Sequence, residues 1–95
     1  MSKKDVYIKK MKAQLDEWSA EIDKMQAKAR KAEADLQMEY QETVDNVISL
    51  RTEAEKKLSN LKEKSGTAWE ELSHSVNTAW NELEQALNQA RKQFQ

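Results

Sequence analysis

The fold is decided by a stretch near the start of the chain, Ile8-Lys-Lys-Met11-Lys-Ala-Gln-Leu15-Asp-Glu-Trp18-Ser-Ala-Glu-Ile22. Its large apolar residues are spaced alternately by three and by four. The same spacing continues through Met25, Ala29, Ala32 and Leu36. An apolar period of 3.5 residues is typical of a coiled-coil helix. We therefore expect an amphipathic helix with one apolar seam.

Beyond Leu36 the apolar period lengthens from seven residues to eleven. One row with this spacing is Leu50, Leu61, Leu72, Leu83 and Phe94, and a second is Leu36, Val47, Leu58, Trp69 and Trp80. The segment Thr67-Ala-Trp-Glu-Glu-Leu72 recurs as Thr78-Ala-Trp-Asn-Glu-Leu83, which is a short internal repeat. Eleven residues make three helical turns, so the period predicts a second helical seam that is straight or slightly right-handed.

The composition predicts an all-α protein with a single domain over residues 1–95. The chain has no Pro, no Cys and one Gly, and 35% of its residues are charged. This amino-acid composition favours long helices. A Ser-x-x-Asp pattern at Ser2 and Asp5 marks a helix start. Gly66 and the capping box of Thr67 and Glu70 predict a break between a helix over about residues 5–64 and a helix over about residues 67–94.

Two alternatives to this architecture remain open at the level of sequence. The eleven-residue phase runs straight through Gly66, so one continuous helix is the first. A three-helix bundle with a turn near residues 35–38 is the second, although that segment contains neither Gly nor Pro.

Helix–helix association is the expected mechanism, and a homo-oligomer is the expected state. A returning helix over residues 67–94 would span only about 42 Å of a partner about 90 Å long. The first seam would then need another copy to cover it. The residues expected to form the association seam are Ile8, Met11, Leu15, Trp18, Ile22, Met25, Leu36, Leu58, Leu61, Trp69, Leu72, Val76, Trp80, Leu83, Leu87 and Phe94.

The sequence offers no constellation of residues for catalysis, and we expect no enzyme and no cofactor. Glu71-Leu-Ser-His74 has the Glu-x-x-His spacing of di-iron helical bundles. Glu71 and His74 lie on the polar side of their helix, so we expect a solvated surface there and not a metal site.

Charge and hydropathy restrict the partners further. The net charge is −1, so no nucleic-acid partner is expected. No apolar run approaches the length of about 20 residues that crosses a bilayer, and no apolar stretch follows Met1, so we expect neither a membrane span nor a secretory signal. A cytoplasmic location is the default. Trp69 and Trp80 suit a membrane interface, but residues 67–95 contain only two basic residues, so weak or no membrane binding is expected.

Two stretches, Tyr7-Ile-Lys-Lys-Met-Lys-Ala-Gln-Leu-Asp-Glu-Trp-Ser-Ala-Glu-Ile22 and Ser65-Gly-Thr-Ala-Trp-Glu-Glu-Leu72, carry a resemblance to known proteins. With Ala79-Trp-Asn-Glu-Leu83 they resemble a family of small bacterial coiled-coil proteins loosely linked to stress responses. The resemblance implies a cytoplasmic helical protein of poorly defined role, with no known catalytic residues to carry over. The eleven-residue period is also similar to that of apolipoprotein-type amphipathic helices, as an analogy of periodicity.

Two functions from different classes follow. The first is a structural or interaction protein that acts by self-association or partner binding, with the link to stress responses that the resemblance implies. The second is a peripheral lipid-binding amphipathic protein.

Overall fold

Three helices make up the fold in a computed structural model, which describes residues 2–64 and 66–94. They are α1 (Lys3–Lys31), α2 (Ala34–Lys62) and α3 (Ala68–Gln93). The prediction of an all-α fold is confirmed. Both α1 and α3 pack along α2, and the bundle measures 52 × 19 × 18 Å.

The start of α1 follows the sequence pattern. Ser2 occupies the N-cap, where its hydroxyl accepts a hydrogen bond of 3.1 Å from the Asp5 N–H. This bond satisfies one of the free N–H groups of the first turn. The carboxylate of Asp5 in the same turn complements the positive end of the helix dipole.

The expected helix over residues 5–64 is wrong, because the chain turns at Ala32 and Glu33. Both residues have extended backbone, with φ −66° and ψ 153° at Ala32 and φ −59° and ψ 151° at Glu33. Any residue adopts these angles, so the turn needs neither Gly nor Pro. The Ala32 N–H bonds to the Ala29 carbonyl at 3.3 Å, and the Gln37 side chain donates to the Arg30 carbonyl at 3.2 Å.

The turn divides the chain into helices of nearly equal length. Helices of 29, 29 and 26 residues span about 44, 44 and 39 Å. Each can cover most of its neighbours, so the seam of α1 is buried within one chain. The length argument for a homo-oligomer therefore loses its premise, and the number of chains stays a prediction that needs other support.

The second break falls where the sequence placed it. Gly66 has φ +67°, the left-handed conformation that favours glycine, and α3 begins two residues later. The alternative of one continuous helix is therefore wrong. Thr67 is the N-cap residue, but its side chain makes no capping bond. The Lys4 ammonium helps to close the end of α2, since it donates to the carbonyl oxygens of Lys62, at 3.0 Å, and Lys64.

Replacement of Gly66 by Ala should destabilise the protein by about 1 kcal/mol, because a Cβ is penalised at positive φ. Apart from the two chain neighbours of Gly66, no heavy atom of the described residues lies within 4 Å of the position that the Cβ would take, so the cost is conformational and not steric. Thermal unfolding followed by circular dichroism should show a melting temperature lower by about 4–8 °C. Gly66→Asn is the control and should lose less, because Asn tolerates this conformation. A higher melting temperature for the Ala variant would contradict the break.

Candidate interaction surfaces

The predicted association seam lies mainly inside the three-helix core. Its buried members come from all three helices: Met11, Leu15, Trp18, Ile22, Met25, Leu58, Leu61, Val76, Trp80, Leu83 and Leu87. Its half-buried members pack against that core: Ile8, Trp69, Leu72 and Phe94. The seam is thus satisfied by contacts within the chain, and surfaces that could hold a partner must be sought elsewhere.

Leu36 is the one predicted seam residue that the bundle leaves exposed, with 41% of its surface accessible. The C-terminal end of α3 reaches only as far as Tyr40, whose ring centroid lies 4.7 Å from that of Phe94. One turn further along α2, the Thr43 hydroxyl bonds to the Gln93 side chain at 2.5 Å. The first turn of α2 therefore projects past α3, and nothing from α3 covers Leu36.

Helices α1 and α3 are joined largely through long side chains. The Tyr7 hydroxyl donates to the Asn77 side-chain oxygen at 2.6 Å and to the Ser73 carbonyl at 3.3 Å. Its ring lies 6.1 Å from that of Trp69, centroid to centroid. Partial burial raises the pKa of the Tyr7 phenol. The phenol therefore stays protonated and remains a hydrogen-bond donor at neutral pH.

An ion pair joins the same two helices nearer the other end of the bundle. The Arg91 guanidinium donates to both carboxylate oxygens of Glu21, from Nη2 at 2.8 Å and from Nε. The hydrogen bond from Arg91 holds the pKa of Glu21 below its usual value, and the bond to Glu21 raises the pKa of Arg91. This two-pronged geometry fixes the register of α3 against α1.

A groove of about 330 Å³ runs between Tyr7 and Arg91 along the junction of α1 and α3. Trp18 and Trp80 lie at its base, and Gln14, Asn77 and Asn81 are among the polar residues at its rim. The Trp80 indole N–H is buried and has no hydrogen-bond partner among residues 2–64 and 66–94. Because a buried donor without a partner is costly, the Trp80 N–H leaves this junction incompletely satisfied.

Two large apolar side chains stand on the outer faces of the helices. Met38 on α2 is 74% exposed and Val6 on α1 is 53% exposed. Met38 lines a shallow groove of about 520 Å³, whose other lining residues are Ala34, Gln37, Gln41, Glu42 and Asp45. Neither Met38 nor Val6 was expected from the periodicity, because both fall outside the apolar rows.

Sequence reasoning also missed Tyr7 and Glu21, although a signal was available. Each lies one residue before a seam position, Ile8 and Ile22 respectively. Positions that flank a heptad seam in this way commonly form contacts between helices. Attention to those flanks would have identified both residues as candidates for contacts with another helix.

The polar pattern Glu71-x-x-His74 lies on the exposed surface of α3. Within the described part of the chain, no three His, Cys, Asp or Glu side chains are grouped so that they could hold a metal ion.

None of the three helices has the length and apolar character that a membrane span requires. Comparison with known proteins gives no match to a family model, to a curated protein or to a solved structure.

Replacement of Tyr7 by Phe should destabilise the bundle by about 1 kcal/mol, because it removes the hydroxyl that bonds to Asn77 and Ser73. Urea unfolding at neutral pH measures the change. Tyr40→Phe is the matched control, since the Tyr40 ring packs on Phe94 and the substitution keeps that ring. Equal losses in the two variants would show that the Tyr7 hydroxyl contributes nothing specific.

The Glu21 and Arg91 pair should give a stability that depends on pH. The pKa of Glu21 is lowered from 4.5 in the folded state, so its contribution is present above that value and is lost as pH falls through the folded pKa. Both side chains are partly exposed, so we expect only about 0.5 kcal/mol. Glu21→Gln should lower the free energy of unfolding by this amount at neutral pH. At about pH 2–3 the difference from the unsubstituted protein should vanish. Glu17→Gln, on the exposed side of α1, should show no such dependence.

Proposed function

We propose that this protein is a non-catalytic interaction protein that acts by packing its helices against another copy of itself or against another helical protein. The observation that supports this most directly is the exposure of Met38 at 74% on the outer face of a helix whose inner face is already satisfied. A long apolar side chain beside an open groove suits a contact with another surface. Leu36, beyond the end of α3, supplies further apolar area on the same helix.

Sedimentation equilibrium over a range of concentrations tests self-association. We expect the average mass to rise from 11.1 kDa toward at least twice that value at tens of micromolar. The protein should be at low ionic strength, since surface charges are screened by salt. A mass that stays at that of one chain throughout would reject self-association as the function.

A peripheral lipid-binding role is the second candidate, and the junction of α1 and α3 favours it. The Trp80 indole has no hydrogen-bond partner in the described part of the chain, whereas a membrane interface offers partners to the indole N–H and an apolar medium to its ring. Separation of α3 from α1 would expose the apolar face that contains Trp69 and Trp80. Residues 67–95 carry four acidic and two basic side chains, so anionic lipid should not strengthen such binding.

Co-sedimentation with vesicles distinguishes this candidate from the first. A lipid-binding protein should pellet with zwitterionic vesicles at millimolar lipid, and a lowered pelleted fraction with anionic vesicles is expected from the charge of α3. Protein that remains in the supernatant with both kinds of vesicle would reject the lipid-binding role. A cytoplasmic location and an association with stress belong to the same proposal, and both rest on the resemblance to small bacterial coiled-coil proteins.

A further inference from the structure

The outer face of the first half of α2 is both acidic and apolar. Residues 33–50 contain five carboxylates and no Lys or Arg. Met38 stands on this face, with Glu42 and Asp45 one and two turns further along. We call the face formed by Ala34, Met38, Gln41, Glu42 and Asp45 the acidic surface. None of its carboxylates takes part in an ion pair within the described ranges.

The outer face of the first half of α1 has the opposite charge around a similar apolar centre. Val6 is 53% exposed. Lys3 precedes it by three residues, and Lys9 and Lys10 follow it by three and four, the spacings that place side chains together on a helix. The only acidic residue in residues 3–15 is Asp5. We call the face formed by Lys3, Val6, Lys9 and Lys10 the basic surface.

Both apolar centres point directly away from the core. Val6 lies nine residues before the buried Leu15, and Met38 lies nine residues before the buried Val47. Nine residues correspond to about 2.5 helical turns, so each exposed side chain is on the side of its helix opposite to the buried one. None of the three helices can therefore cover either centre without unfolding of the bundle.

We propose that the acidic surface of one copy binds the basic surface of a second copy. The proposal rests on the function proposed above and names the surfaces through which self-association occurs. Carboxylates around Met38 meet ammonium groups around Val6, and the two apolar side chains are removed from water together. Complementary charge of this kind selects the partner and orients it.

The acidic and basic surfaces lie well apart along the bundle. The bond from Lys4 to the Lys62 carbonyl places the start of α1 beside the end of α2. Met38 then lies opposite about residue 28 of α1, some 22 residues from Val6, which is about 33 Å along the bundle. This separation fits within the 52 Å length of the molecule. One copy can therefore present its acidic surface to a second copy while its own basic surface stays clear of that contact.

Charge reversal in two separate variants tests the pairing. Glu42→Lys/Asp45→Lys reverses the acidic surface, and Lys9→Glu/Lys10→Glu reverses the basic surface. Sedimentation equilibrium at about 50 µM and low salt should report a dimer for the unsubstituted protein and a single chain for each variant. An equimolar mixture of the two variants should associate again, because each retains the surface that the other has lost. Circular dichroism should show the same helix content for all of them.

A matched control changes the net charge without touching either surface. Glu71→Lys/Glu82→Lys alters two exposed carboxylates of α3 by the same total charge as the acidic variant, and it should leave the dimer intact. Met38→Gln removes the apolar centre while keeping the charges, and it should weaken the dimer several-fold. Salt of about 1 M should weaken the unsubstituted dimer as well.

The outcomes separate the two proposals. If the unsubstituted protein dimerises but both charge-reversed variants dimerise equally, the assignment of surfaces is wrong and the function in self-association survives. If the mixed variants remain single chains, the direct pairing of the two surfaces is likewise overturned. If the unsubstituted protein stays a single chain up to about 200 µM at low salt, the pairing and self-association fail together. Binding of heparin through the Lys9 and Lys10 surface by such a single chain would point to a polyanion instead.

Discussion

The rest of the bundle depends on one constraint: the apolar stripe of α1 must be buried. An isolated amphipathic helix gains little from propensity alone and depends on packing of its apolar face. The chain meets this need by folding back at Ala32 and Glu33, where two residues of extended backbone replace helix. Interrupting the helix removes a few backbone hydrogen bonds. The bonds from the Ala32 N–H to Ala29 and from the Gln37 side chain to Arg30 replace some of them. Burial of Leu15, Trp18, Ile22 and Met25 outweighs that loss, because each large apolar side chain contributes about 1.5–3 kcal/mol when buried.

The three junctions between helices are not equally close. α2 packs closely against both neighbours, while α1 and α3 meet through large side chains such as Tyr7, Trp18, Trp80 and Arg91. Small residues on the seams of α2 and α3, including Ala54, Ala79 and Ala90, favour the close approach of those two helices. The bulk of Trp18 and Trp80 has the opposite effect on the third junction. The polar bonds of Tyr7 and Glu21 therefore set the register where apolar contact is least close.

Much of this arrangement is predictable from sequence, and the failures have physical causes. The periodicity identified the buried stripe of α1, and Gly66 identified the second break through its conformational freedom. The turn at Ala32 and Glu33 escaped because helix formers fill that segment, and tertiary packing overrode their propensity. Its signal was electrostatic: Lys28, Arg30 and Lys31 close one helix, and Asp35 opens the next, in the order that helix dipoles favour. Leu36 lies on the same side of its helix as the seam residues, as the periodicity predicts, yet it is exposed. Periodicity does not indicate where a neighbouring helix ends.

The same electrostatic signal raises a question about the rest of α2. A carboxylate stabilises a helix start only within about the first turn, since the dipole effect fades beyond it. Asp35 meets that condition, but Glu39, Glu42 and Asp45 lie further along the helix. Solubility does not require a run of carboxylates without basic residues, because the second halves of α1 and α2 contain both acidic and basic residues on their exposed sides. Repulsion among like charges at neighbouring turns works against the helix. An acidic run that costs stability and encloses an exposed Met38 is better explained by something outside the chain that carries the opposite charge.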